Sequence, residues 1–267
     1  MSTHKIGFFG FGHMAQVIFA ALDRAKVIPR SHVSFVRRDA EKSRLNEQKF
    51  GITSTTLETL VSQSDVIFLS VRPQQATDAL LQLKGFDLNG KMVISILAGT
   101  TLSFFENKLG PAVQVIRVMP NIASEVNQGM TIVTHGAKCS VEFKSFVNIL
   151  FGSMGQVSVQ PESLMDVACG MAGSGPGFVL RLIDAMARVG IKQGMSEEDA
   201  LKIAAQTFKG AAALVAKGLA PSELLSQIAT PQGVTAAGFE SMTRTNVDAH
   251  FMMAIESAAA RSKDLSS

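Results

Sequence analysis

The chain predicts an α/β fold: an N-terminal Rossmann-like domain on a mostly parallel sheet, followed by an all-helical domain. Three observations point there. Strand-like and helix-like segments alternate from Lys5 to about Val159. A glycine-rich turn, Gly10-Phe11-Gly12-His13-Met14-Ala15, lies between the first strand and the first helix. After Pro161 only helical patterns remain.

The first apolar run, Ile6–Phe9, reads as a buried strand. Gly10, Gly12 and Ala15 then fit the dinucleotide pattern G-x-G-x-x-G/A, each small residue for its own reason. Gly10 makes the tight turn, Gly12 lets backbone approach a pyrophosphate, and Ala15 lets the helix lie close on the strand. The helix that continues through Leu22 presents free N–H groups and its positive dipole end to phosphates. His13 and Met14 belong to this cofactor-binding turn, with the His13 side chain toward solvent. The second strand, His32–Val36, ends in Arg37-Arg38-Asp39. A carboxylate at that place favours NAD, whereas an arginine accepts the 2′-phosphate of NADP. Arg37 and Arg38 therefore point to NADPH, with NADH still possible. Asp39 suits a cap for the helix Ala40–Phe50. Strand Val66–Val71 is stopped by Pro73; its turn, Ser70-Val71-Arg72-Pro73, would pass over the nicotinamide ribose, and helix Gln74–Leu83 follows. Strands Met92–Ile96, Gln114–Val118 and Thr131–Thr134 come next, with Gln156–Val159 as a further one. Asn121, after Met119-Pro120, either bonds cofactor or substrate or caps its own turn.

We divide the chain into a dinucleotide-binding domain, 1–160, and a helical domain, 161–267. Helices are expected over Ser163–Ala172, Pro176–Gln193, Ser196–Lys217, Ser222–Ile228 and Thr235–Lys263. Ser196 with Asp199 resembles a capping box, and Ser222 is a plausible N-cap. The stretch Gly170–Phe178 carries four glycines within eight residues. It is not a hydrolase elbow around Ser174, because Ala172 and Pro176 stand where G-x-S-x-G needs glycine. Nor does it carry the lysine of a β-hydroxyacid dehydrogenase, since Val179 occupies that position. Pro176 fits the first turn of a helix. Thr230-Pro231-Gln232-Gly233-Val234-Thr235 joins two helices and presents hydroxyls and N–H groups; by itself it is also an ordinary capped turn. Ala211–Val215 and Phe251–Ile255 are apolar on several sides, which requires burial. In so small a domain that burial suggests a second subunit, with a compact monomeric bundle as the alternative.

Composition narrows the functional classes. With 46% apolar and 18% charged residues the chain is globular. A net charge of +3 with no basic cluster beyond pairs argues against nucleic acid. No run reaches membrane-spanning length. The first strand begins close to Met1, so no leader is expected, and Cys139 and Cys169 form no C-x-x-C; both fit the cytoplasm. The five histidines make no metal-like spacing. Tyr and Trp are absent, which removes a tyrosine acid.

At this point the chain resembles the pyrroline-5-carboxylate reductase family over essentially its whole length. The resemblance rests on Phe9–Ala15, Val71-Arg72-Pro73, Ser95-Ile96-Leu97-Ala98-Gly99, Arg117–Asn121, Gly173-Ser174-Gly175-Pro176 and Thr230–Thr235. It implies a Rossmann domain, a dimerisation domain with interleaved helices, and NAD(P)H. It adds Ala98 and Gly99 to the cofactor site. It implies Ser174, Gly233, Val234 and Thr235 as substrate-binding, with Thr235 beside the imine nitrogen as the catalytic side chain. The implied reaction is reduction of 1-pyrroline-5-carboxylate to L-proline by a homodimer or a higher assembly of dimers. The family pattern is broken at Arg72 for Lys, Ile122-Ala123 for Thr-Pro, Ala172 for Ser and Phe178 for Tyr. Gln232 stands for the first of two adjacent glycines, and Val234 follows the second. These departures keep two alternatives open: a nucleotide-binding sensor or scaffold, and a reductase of another cyclic imine.

Overall fold

The computed structural model describes residues 4–110 and 113–265. Packing divides the chain into two compact units, Met1–Ser174 with Ser257–Ser267, and Gly175–Glu256.

The first unit is built on strands β1 (Ile6–Phe9), β2 (Val33–Val36), β3 (Thr53–Ser54), β4 (Val66–Leu69), β5 (Met92–Ser95), β6 (Gln114–Met119), β7 (Gly129–His135) and β8 (Gly155–Val159). Their order in the sheet is β3-β2-β1-β4-β5-β6-β7-β8. All neighbouring pairs are parallel except β6 with β7. The helices are α1 (His13–Arg24), α2 (Ala40–Phe50), α3 (Leu57–Gln63), α4 (Ala76–Leu83), α5 (Leu102–Leu109), α6 (Val141–Gly152) and α7 (Met165–Ala168). Because side chains alternate along a strand, the sheet feeds two cores. Ile6, Phe8, Val66, Phe68, Met92 and Ile94 pack with α1 and α6. Phe9, Ile67, Leu69 and Val93 pack on the opposite face with α3, α4 and α5. On the first face Phe11 stacks on Phe35 at 4.6 Å and meets Phe50 edge-on, so the second residue of the glycine turn is itself a core residue. Asp39 caps α2 as expected: its carboxylate accepts from Lys42 N–H at 3.0 Å.

Strands end at Val159, but packing keeps 160–174 with the sheet. The expected helix Ser163–Ala172 is not one helix. It is a 3₁₀ turn, Glu162–Leu164, then α7, then a π-helical turn, Cys169–Gly173. Two glycines in five residues weaken the α-helical ladder there.

The second unit holds α8 (Gly175–Lys192), α9 (Glu197–Ala216), α10 (Pro221–Ile228), α11 (Val234–Arg244) and the first part of α12 (Val247–Asp264). Ser196 caps α9, its hydroxyl accepting from Asp199 N–H at 3.1 Å. The expected helix Thr235–Lys263 is two helices. Asn246, at φ +50°, turns the chain between α11 and α12, and a left-handed residue cannot continue a right-handed helix. Ser222 is not an N-cap, because Pro221 already occupies the first helical position and Ala220 precedes it as cap. The core of this unit is small: Ala187, Ala200 and Ala204 with Ile183 against them.

Candidate functional site

Parallel strands β2, β1, β4, β5 and β6 bring their carboxyl ends to one edge, in register at Val36, Phe9, Leu69, Ser95 and Arg117. Strand order reverses between β1 and β4, where open α/β sheets bind ligands. The turns that follow these strands, with the first turn of α1, contain every residue expected to hold the cofactor.

Gly10 sits at φ +91°, and a Cβ there would lie 2.6 Å from the Ser70 carbonyl oxygen and 2.8 Å from Val71 N. Only glycine fits, because the turn after β4 closes directly against it. Ser70 holds that closure, its hydroxyl donating to the Gly10 carbonyl at 2.5 Å. Gly12 is the N-cap of α1 with no side-chain cap, and a Cβ there would meet nothing within 4 Å. Among the described residues the N–H groups of Gly12, His13 and Met14 donate to no protein acceptor. No acidic side chain lies in the first turn of α1. This row of unused donors, open on one side and with no acidic residue in its own helical turn, fits a pyrophosphate. His13 points outward, 3.6 Å from the Glu125 carboxylate.

The two arginines after β2 differ. Arg37 is half-buried and donates from Nη1 to the Phe11 carbonyl at 2.7 Å. Arg38 is exposed and unpaired among the described residues. The Asp39 carboxyl is engaged by the Lys42 N–H and ammonium, which hold it below the usual carboxylate range. Val71 and Pro73 are half-buried and Arg72 is exposed; the Arg72 N–H donates to Gln75 Oε1 at 3.4 Å. Gly99, at φ +70°, faces Leu265 and the Ser262 carbonyl so closely that no side chain fits. Ala98 beside it is half-buried.

Asn121, 6% exposed, is bound on both sides of its amide. Nδ2 donates to the Ala172 carbonyl at 3.0 Å, and Oδ1 accepts from Ala123 and Met130 N–H groups. It thereby caps its own turn and ties the end of β6 to the π-helical turn. That turn ends at Ser174, whose hydroxyl has no partner among the described residues. Burial pushes the Cys169 thiol up.

In the second unit Gly233 is the N-cap of α11, again without a side-chain cap. The Gly233 N–H closes a turn onto the Thr230 carbonyl at 2.9 Å, and a Cβ at Gly233 would collide with Thr230. Gln232 takes φ +58°, a conformation that glycine adopts without cost. Val234 is 94% exposed, so it stands outside the turn. Thr235 is half-buried in the first turn of α11, and its hydroxyl has no partner among the described residues. Neither Thr230 nor Thr235 caps the helix.

Three features escaped the sequence reading. Gln16 donates to the same Phe11 carbonyl at 3.3 Å. Ser70 clamps Gly10. Arg117, 4% exposed, donates to Glu162 at 2.8 Å, and the same carboxylate oxygen accepts from Leu102 N–H at the start of α5. An arginine inside the apolar run Val115-Ile116-Arg117-Val118 is a signal for a buried partner, but not for which one.

A family profile described as pyrroline-5-carboxylate reductase dimerisation matches residues 162–265. One described as NADP oxidoreductase, coenzyme F420-dependent, matches residues 5–99. Pyrroline-5-carboxylate reductase of Methanosarcina acetivorans is 35% identical, with 99% of each chain covered. That of Arabidopsis thaliana is 33% identical, over 99% of this chain and 96% of its own. The crystal structure of Plasmodium falciparum pyrroline carboxylate reductase with NADP bound superposes with a TM-score of 0.92, at 28% identity over 100% of both chains.

Proposed function

The chain belongs to the pyrroline-5-carboxylate reductase family, and from that premise we propose that it reduces 1-pyrroline-5-carboxylate to L-proline, closing proline biosynthesis. The observation that carries this reading is the row of unused N–H groups at the start of α1, at the reversal of strand order. Gly10, Gly12, His13 and Met14 would hold the pyrophosphate there. Val71, Arg72, Pro73, Ala98 and Gly99 line the neighbouring turns, and Asn121 fixes the floor beneath. A reduced nicotinamide bound there supplies the hydride.

The reaction asks little acid–base chemistry of the protein. A protonated imine is already electrophilic at C5, so the main task is orientation. The first-turn N–H groups of α11, at Val234 and Thr235, suit the substrate carboxylate. The Thr235 hydroxyl can accept from the iminium and later donate to the product amine. Ser174 offers a second unengaged hydroxyl. The absence of any tyrosine is consistent with this chemistry.

NADPH is the preferred donor, on the strength of the exposed cation Arg38 and the engagement of Asp39 elsewhere. The working assembly is a dimer, built through the helical unit, with the helices of one protomer completing the active site of the other. Its support is a unit with three buried alanines at its core and exposed Leu180, Met186, Val189, Met252 and Met253. Among the described residues no helix is long and apolar enough to cross a membrane, and both thiols are free, in keeping with the cytoplasm.

The test is NADPH oxidation with the five-membered pyrroline carboxylate beside its six-membered piperideine analogue. A kcat/KM at least tenfold higher for the five-membered ring supports the assignment. The reverse preference would make this a reductase of another cyclic imine, and tight NADPH binding without turnover on either would make it a sensor.

A further inference from the structure

One carbonyl of the glycine turn, that of Phe11, is held from two sides. Phe11 buries its ring among Phe8, Phe19, Phe35 and Phe50. Its carbonyl oxygen accepts from Arg37 Nη1 at 2.7 Å and from Gln16 Nε2 at 3.3 Å. No cis peptide bond occurs among the described residues, and a trans peptide plane holds its C=O and N–H antiparallel. The bond that draws the Phe11 oxygen toward Arg37 therefore turns the Gly12 N–H the opposite way. That N–H has no protein partner, and Gly12 has open space where a side chain would be.

We propose that Arg37 is a positioning residue of the phosphate cradle, fixing the Phe11–Gly12 peptide plane so that Gly12 N–H is presented to an anion. Arg38, exposed and unpaired, is then the cation that recognises a 2′-phosphate. This rests on the reading of the turn as a dinucleotide site, and it divides between two adjacent arginines what the sequence assigns to both. Its consequence is distinctive. A pyrophosphate is common to NADPH and NADH, whereas a 2′-phosphate belongs to NADPH alone. Loss of Arg37 weakens both nucleotides by the same factor, and loss of Arg38 weakens one.

The experiment measures dissociation constants of NADPH and NADH by calorimetry, with melting temperatures on the same samples. Arg37→Ala should weaken both about tenfold, the scale of one charge-assisted hydrogen bond. Arg37→Gln, an uncharged donor, should recover part of both. Arg38→Ala should weaken NADPH about tenfold and leave NADH within about twofold. Gln16→Ala bears no charge and removes the weaker donor; it should weaken both about threefold. It decides the matter if Arg37→Ala does not fold. The proposal is overturned if Arg37→Ala weakens NADPH alone, or neither nucleotide, or if Gln16→Ala changes nothing. A wild-type protein that binds neither nucleotide overturns the dinucleotide reading itself.

Discussion

On the function proposed above, Thr235 is the residue on which the substrate chemistry turns. Its hydroxyl is half-buried and makes no bond within the described protein, so it is available to a ligand and gives the helix no cap. Thr235→Ala should lower kcat/KM by roughly 1.5–3 kcal/mol, ten- to a hundredfold, the range for a hydrogen bond to a charged group. NADPH affinity and melting temperature should not move, and Thr235→Ser should recover most of the loss. A variant that melts lower with unchanged kcat/KM would make Thr235 a stability residue only. Gly10 is constrained in another way. Gly10→Ala places a methyl against the Ser70 carbonyl at a positive φ, so about 1–3 kcal/mol of stability should be lost, and NADPH binding with it; thermal melting and titration of the same variant check both. Gly10 and Gly12 were legible in the sequence because the strand–turn–helix pattern that carries them is local, although what excludes a side chain at Gly10 is the distant Ser70 carbonyl. The Arg37 contact with Phe11 was not, because it joins residues 26 apart and only the folded sheet brings them together. Gln232 shows the limit from the other side. The resemblance implies a glycine there, and the backbone keeps the left-handed φ of +58° that glycine adopts without cost.

At the scale of elements, the strands whose carboxyl ends carry the site were legible to within two residues there, whereas the two-residue β3 was not read. Apolar runs such as Val66-Ile67-Phe68-Leu69 are buried on both faces and have no other use. Breaks within helical patterns were not. Thr235–Lys263 reads as one helix because no proline or glycine interrupts it after Gly238. The stop is Asn246, which tolerates a left-handed turn that most residues resist. Asn246→Gly should keep or slightly raise the melting temperature. Asn246→Val should lower stability by roughly 1–2 kcal/mol, because a branched side chain is strained at positive φ. Equal melting of the two variants would show that the turn is not held in that conformation. The π-helical turn at Cys169–Gly173 also carries no sequence signal beyond its glycines. It exists in the company of Asn121, whose Nδ2 donates to the Ala172 carbonyl, so the turn and its clamp are legible only together.

At the scale of the whole molecule, the helical unit leaves too much apolar surface uncovered to be a finished domain. Met252 and Met253 are both more than half exposed on α12, and burial of such surface is the usual driving force for association. Met253→Asp would place a charge in that interface, and sedimentation should show fewer dimers or an insoluble chain. A well-folded wild-type monomer at micromolar concentration would refute the dimer. The reaction itself rests on a hydride delivered from the nicotinamide to C5 of the pyrroline ring. Supplying NADPH deuterated at the transferable C4 position, together with 1-pyrroline-5-carboxylate, and locating the label by mass spectrometry and NMR follows that hydride. The expected product is L-proline carrying one deuterium at C5, formed in step with the NADPH consumed. Bound NADPH with unlabelled proline, or with no proline at all, would contradict it.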